Sequence, residues 1–149
     1  MKIYVGTDHN GFRYKPKLVE YLKSAGHQVI DEGEKTLNPT DDFPVFASKV
    51  AQAVLSSDSP DTRGILVCGS GQGMVMAANR FNGIRAGLGW SVEAAKGVRN
   101  DEDSNVLSLP SAVFENNTWQ AVVDAWLHTP FANATRYIRR NNELDELIR

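Results

Sequence analysis

The stretch Ile65–Asn79, ILVCGSGQGMVMAAN, decides how the rest of the chain is read. Ile65 to Cys68 form a short apolar run rich in branched side chains, the pattern of a buried parallel strand. Gly69, Gly71 and Gly73 then mark a tight turn, and Met74 to Arg80 reads as helix. Strand, glycine turn and helix in that order aim several backbone N–H groups at one spot. That spot is also the positive end of the helix, so it favours an anion. Cys68 is the only cysteine and ends the strand beside the turn. A thiol there is expected to be acidified towards thiolate, a candidate base or nucleophile. The alternative is a small buried hydrophobe.

The turn by itself selects no particular anion. It is not a P-loop, because no Gly-Lys-Ser/Thr follows. Met74 stands where a dinucleotide fingerprint needs a small residue, and also where a Cys-x5-Arg phosphatase loop needs arginine.

Composition narrows the class. A chain of 149 residues fits one domain with a sizeable core, and 42% hydrophobic with 23% charged residues is ordinary for a globular protein. A formal charge of −2 gives no electrostatic case for nucleic acid or an anionic membrane. No apolar run reaches the roughly 18 residues that span a bilayer. The start, MKIYVGTDH, lacks the pattern of a signal peptide, and one cysteine excludes an internal disulfide, so a cytoplasmic home is the expectation. His9, His27 and His128 are scattered and form no metal-ligand cluster.

In chain order, Lys2 to Gly6 reads as a strand leading into the polar turn Thr7–Gly11. A helix is predicted from about Phe12 to Ala25, with Pro16 in its first turn. His27 to Ile30 is a second strand, and Thr40-Asp41-Asp42 caps a helix over Phe43 to Leu55. Ser56 to Thr62 reads as loop before the central strand. Ile84 to Leu88 is a fourth strand, Ser91 caps a helix over Val92 to Val98, and Asn100 to Asp103 is an acidic turn. Asn105 to Leu109 is a fifth strand, Glu115 to Leu127 an amphipathic helix, and a polar helix runs to Arg149. This alternation predicts an α/β fold, a parallel sheet covered on both faces, with ligands beyond the carboxyl ends of its strands. Asp8-His9, Cys68-Gly69-Ser70 and Asn100–Asp103 are expected to meet on that rim.

GTDHNGF at the start, CGSGQGM with AANRFNGIRA in the middle, and the later DSNVL together resemble the ribose-5-phosphate isomerase B family, which also holds the galactose-6-phosphate isomerase subunits. The resemblance spans essentially the whole chain. It implies a three-layer α/β/α sandwich around a five-stranded, Rossmann-like sheet. It implies a homodimer or homotetramer with active sites shared across the interface, and a C-terminal helix, from about residue 131, packed on a partner. The implied chemistry is aldose–ketose isomerisation of a phosphosugar through an enediolate, with no metal and no cofactor.

On that resemblance Cys68 is the base that moves a proton between C1 and C2. The amides of Gly69 to Gly73 hold the developing oxyanion, Ser70 bonds a sugar oxygen, and Asp8 and His9 grip the open-chain sugar. For Asp8 the alternative is a turn cap on Gly11. Arg136 and Arg140 match a pair that binds phosphate from the neighbouring subunit, and their four-residue spacing suits a dianion. The alternative for them is a solvated basic helix end.

Several positions depart from the family pattern. Asp101 stands in place of the ring-opening histidine, and Glu102 in place of an asparagine that bonds substrate. Ala112 replaces a phosphate-contacting arginine, and Phe43 a tyrosine. Asp101, Glu102 or His9 is the expected replacement proton carrier, since a like-charged neighbour raises a carboxylate's pKa. Isomerisation of a six-carbon sugar phosphate and non-catalytic sugar-phosphate binding are the competing readings. A nucleotide-binding module is weaker, because no acidic residue follows the glycine turn at the distance a ribose needs.

Overall fold

The computed structural model describes residues 1–147. Five strands, β1 (Lys2–Thr7), β2 (Gln28–Asp31), β3 (Thr62–Cys68), β4 (Ala86–Leu88) and β5 (Val106–Pro110), form one sheet in the order β2-β1-β3-β5-β4. Every pairing is parallel. The helices are α1 (Lys15–Ser24), α2 (Phe43–Leu55), α3 (Gln72–Ala78), α4 (Val92–Glu102), α5 (Ser111–Glu115), α6 (Trp119–His128) and α7 (Thr135–Glu146).

Alternation along the strands builds two cores. Ile65 and Val67 face one way with Ile3, Val5, Leu107 and Leu109, under Leu18 and Leu22 of α1, Ala95 of α4, and Val122 and Trp126 of α6. Leu66 and Cys68 face the other way with Tyr4 and Val106, under Phe46 and Val50 of α2 and Met74 and Ala78 of α3. Both faces of the central strands are therefore apolar, as a doubly covered parallel sheet requires. Trp126 satisfies its buried N–H by donating to Ser104 Oγ at 2.7 Å. The expected α/β/α sandwich is the observed one.

Several boundaries differ from the sequence reading. The central strand begins at Thr62, because β1 pairs along its whole length, from Lys2 with Thr62 to Thr7 with Val67. The first helix begins at Lys15, since residues 11–14 are spent on turns closed by Asp8 and Gly11 carbonyls. The helix expected over Glu115–Leu127 is two, α5 and α6, broken where Asn117 takes a left-handed φ of 53°. Asn100, Asp101 and Glu102 are not a turn but the last turn of α4, which ends on Asp103 in a left-handed conformation, φ 48°. Ser91 caps that helix as expected, accepting from the Ala94 amide at 3.1 Å.

Candidate active site

The sheet changes direction between β1 and β3. Chain leaves β1 for β2 on one side and returns past it to β3 on the other, so a crevice opens beyond the carboxyl ends of this pair. The β1–β3 register pairs Thr7 with Val67, so the next residues, Asp8 and Cys68, leave the sheet side by side. Gly11 is required for this approach: a Cβ there would lie 2.4 Å from the Val67 carbonyl oxygen.

Cys68 is 6% exposed, and its Sγ accepts from the Gly71 amide at 3.1 Å. Gly71 takes φ +76° to turn that amide inward, and a Cβ there would lie 2.4 Å from Leu88 Cδ1. Below, β5 braces the turn: Ser108 Oγ donates to the Gly71 carbonyl at 2.9 Å, and the Ser111 amide to that of Gly69 at 3.0 Å. Ser70 is exposed at the mouth and its Oγ accepts from the Gln72 amide at 3.3 Å. The ring of Phe43 rests against Gly73.

The expected acidification of Cys68 is overturned. Burial pushes the thiol above its ordinary value of 9.0, and the nearby Asp8 carboxylate adds to the rise, outweighing the amides of Gly71, Met74 and Ser70. Asp8 is also raised by burial, against the Gly11 and Asn10 amides that its Oδ1 accepts at 3.1 and 2.9 Å. Asp8 is therefore a turn cap, and it also borders the thiol.

Asp41 joins this candidate site, although sequence reading placed it in the cap of a helix. It does not cap α2, and Asp42, which stands at the cap, makes no side-chain cap bond either. Asp41 Oδ1 instead accepts from His9 Nδ1 at 2.6 Å and from the His9 amide at 3.2 Å. Asn10 Nδ2 donates to His9 Nε2 at 2.9 Å, which places the ring proton on Nδ1 in the neutral tautomer. The Asp41 bond raises the His9 pKa. The only local signal was a second carboxylate in a run already read as a cap.

Asp101, Glu102, Arg136 and Arg140 do not join this group within the chain. Arg85, immediately before β4, donates to the Glu102 carbonyl at 2.9 Å, which puts the end of α4 at the amino rim. The reason is directional: α4 starts at the carboxyl rim after β4 and must return to feed β5. Helix α7 packs beside α4 there, with Asn141 donating to the Asp101 carbonyl at 3.5 Å. Arg140 lies close enough to Glu102, and Arg136 to Asp101, for their charges to interact. Burial first, then Asp101, pushes Glu102 upward. The expected residues thus form two clusters on opposite rims, one around Cys68 and one around Glu102.

The chain matches the model of the ribose/galactose isomerase family over residues 3–144. It is 36% identical to ribose-5-phosphate isomerase B of Mycolicibacterium paratuberculosis over 149 residues, covering 100% of this chain and 92% of that protein. It is 41% identical over 126 residues to the Escherichia coli enzyme of the same name, covering 85% and 83%. Its fold matches the crystal structure of Mycoplasma genitalium ribose-5-phosphate isomerase B with bound ribulose-5-phosphate, with a TM-score of 0.90, 34% identity, and 98% and 95% coverage. A fold, a switch-point thiol and near-complete coverage by these relatives agree: the chain belongs to the ribose/galactose isomerase family.

Proposed function

We propose that the protein interconverts ribose 5-phosphate and ribulose 5-phosphate, with Cys68 moving the proton between C1 and C2. The observation that carries this reading is the Cys68 sulfur at the β1–β3 switch point, faced by the amides of Ser70, Gly71 and Met74. The thiolate takes a proton from the carbon next to the carbonyl. The turn amides bond the enediolate oxygen as its charge develops, which is where preorganised donors act most strongly. The thiol then returns the proton to the neighbouring carbon. His9, held by Asp41, and the exposed Ser70 hydroxyl bond the sugar oxygens.

The working site takes Asp101, Glu102, Arg136 and Arg140 from a second copy of the chain, because one chain keeps them on the far rim. Arg136 and Arg140, exposed and one turn apart on α7, clamp the phosphate. Glu102, whose pKa burial and the neighbouring Asp101 push upward, serves ring opening with Asp101 beside it. An apolar hollow of about 590 Å³ beside Gly73, lined by Phe43, Val45, Met76 and Phe81, supports a homodimer that closes over this turn. Ile138 and Leu144, exposed on α7, support that helix reaching a partner.

Ribulose 5-phosphate formation from ribose 5-phosphate tests the reading in native protein and Cys68→Ala. Loss of about 10²–10⁴-fold, the range for a positioned general base, is the expected result. Equal rates would make Cys68 structural and remove the mechanism. Activity of the native chain on a six-carbon sugar phosphate alone would move the substrate assignment.

A further inference from the structure

At the amino rim, beneath β3 and β5, a cavity of about 230 Å³ is lined by Ser59, Arg63, Arg85, Arg99, Asp103 and Asn105. It lies at the opposite end of β3 from Cys68. Its charges are unbalanced. Asp103 pairs with Arg99 Nη1 at 2.7 Å and with Arg85 Nη2 at 3.2 Å. Arg99 is buried, and it spends a further bond on the Ser104 carbonyl at 2.7 Å. Arg85 reaches away from the cavity to Asp145 at 3.1 Å.

Arg63 has no carboxylate partner among the described residues. One of its terminal nitrogens donates to the carbonyls of Thr62 at 2.8 Å and Pro60 at 3.4 Å. Burial and the neighbouring Arg99 depress its pKa, with only Asp103 and the rim residue Asp61 as main opposing charges. Arg85 and Arg99 are paired through Asp103 and Asp145, which leaves Arg63 as the guanidinium without a salt bridge, among the described residues, facing a half-enclosed polar space. A guanidinium held out of water without a counter-ion is unfavourable, and a dianion bound there relieves it. The cavity is smaller than the roughly 300–1,000 Å³ of drug-sized ligand sites, so the occupant has few heavy atoms.

We propose that this cavity binds a tetrahedral oxyanion, inorganic phosphate or the phosphoryl group of a small monoester, through Arg63 with Arg85 and Arg99. The cavity lies at the far end of β3 from Cys68 of the same chain, and none of its three arginines belongs to the proposed phosphate clamp. Its position explains why Arg63 stands unpaired at the start of a strand.

Calorimetric titration with inorganic phosphate, at ionic strength held constant with sodium chloride, tests it in three proteins. These are the native chain, Arg63→Gln, and Arg136→Gln/Arg140→Gln, which lacks the proposed catalytic clamp. The clamp variant is expected to keep one phosphate per chain. Arg63→Gln, with native far-ultraviolet dichroism and native kcat/KM, is expected to bind that phosphate about ten- to hundredfold more weakly, the effect of one charge-assisted contact. Ser59→Glu, which sets a carboxylate at the cavity wall, is expected to abolish it. Undiminished affinity in Arg63→Gln and Ser59→Glu, or loss of all phosphate binding in the clamp variant, would overturn the proposal. A heat reproduced by chloride alone would overturn it as simple screening.

Discussion

At the scale of single residues, burial decides more than sequence context. The turn around Cys68 supplies the amides that ordinarily acidify a thiol, yet the sulfur sits inside the α2–α3 core and beside Asp8, and its pKa rises. The reactive thiolate is then a minor species at neutral pH. Isomerase kcat/KM should therefore climb steadily with pH through the neutral range and beyond, up to at least the ordinary thiol value of 9.0. A pH–rate profile already flat from pH 7 would show that the amides win.

His9 makes a second residue-scale case. Its pKa is raised by the bond to Asp41, so that bond stabilises the fold fully below the ordinary value of 6.5 and the gain fades as pH climbs through the raised value. In an NMR titration the His9 ring should therefore titrate above 6.5, and Asp41→Asn should return it towards that value. An unchanged titration in the variant would mean that the pair contributes nothing. The Asp-His pair was legible in the sequence as a candidate. Its orienting carboxylate was not, because Asp41 lies 32 positions away and joins His9 only through folding.

At the scale of elements, α3 is a seven-residue helix, too short to hold its shape alone. Its start is set by Gly71, which combines a left-handed backbone with contact against Leu88. Gly71→Ala should cost about 1–3 kcal/mol from backbone strain alone, before the side-chain clash, and should lower the urea midpoint of unfolding. An unchanged midpoint would mean that the turn can rearrange freely. The glycine turn and its helix were readable because glycine spacing reports backbone need directly. The end of α4 was not. Arg99 to Glu102 show no apolar period, and helix persists there because Arg99 pairs with Asp103 one turn on and α7 covers the other side.

At the scale of the whole molecule, the proposed site is split between two rims of one chain and so calls for a second copy. If the catalytic site joins Cys68 of one copy to Arg136 and Arg140 of another, two differently disabled chains should complement each other. Cys68→Ala mixed with Arg136→Ala/Arg140→Ala, after dissociation and reassembly, should regain up to about a quarter of native activity, since random pairing makes half the dimers mixed and each mixed dimer holds one intact site. No recovery, with mixed dimers shown by mass spectrometry, would place all three residues in one chain's site or remove the arginines from catalysis.

The sequence by itself determined the five strands, most of the helices, the parallel doubly covered sheet, the family and the cysteine-glycine turn. Each of these is written in short-range patterns: alternation, glycine spacing, a contiguous motif. The tertiary structure alone decided the order β2-β1-β3-β5-β4, which puts Asp8 beside Cys68, and the return of α4, which sends Asp101 and Glu102 to the far rim. It also decided the protonation of the thiol and the gathering of Arg63, Arg85 and Arg99 around one cavity. These depend on which distant segments exclude water from one another, and no local window of sequence contains that information.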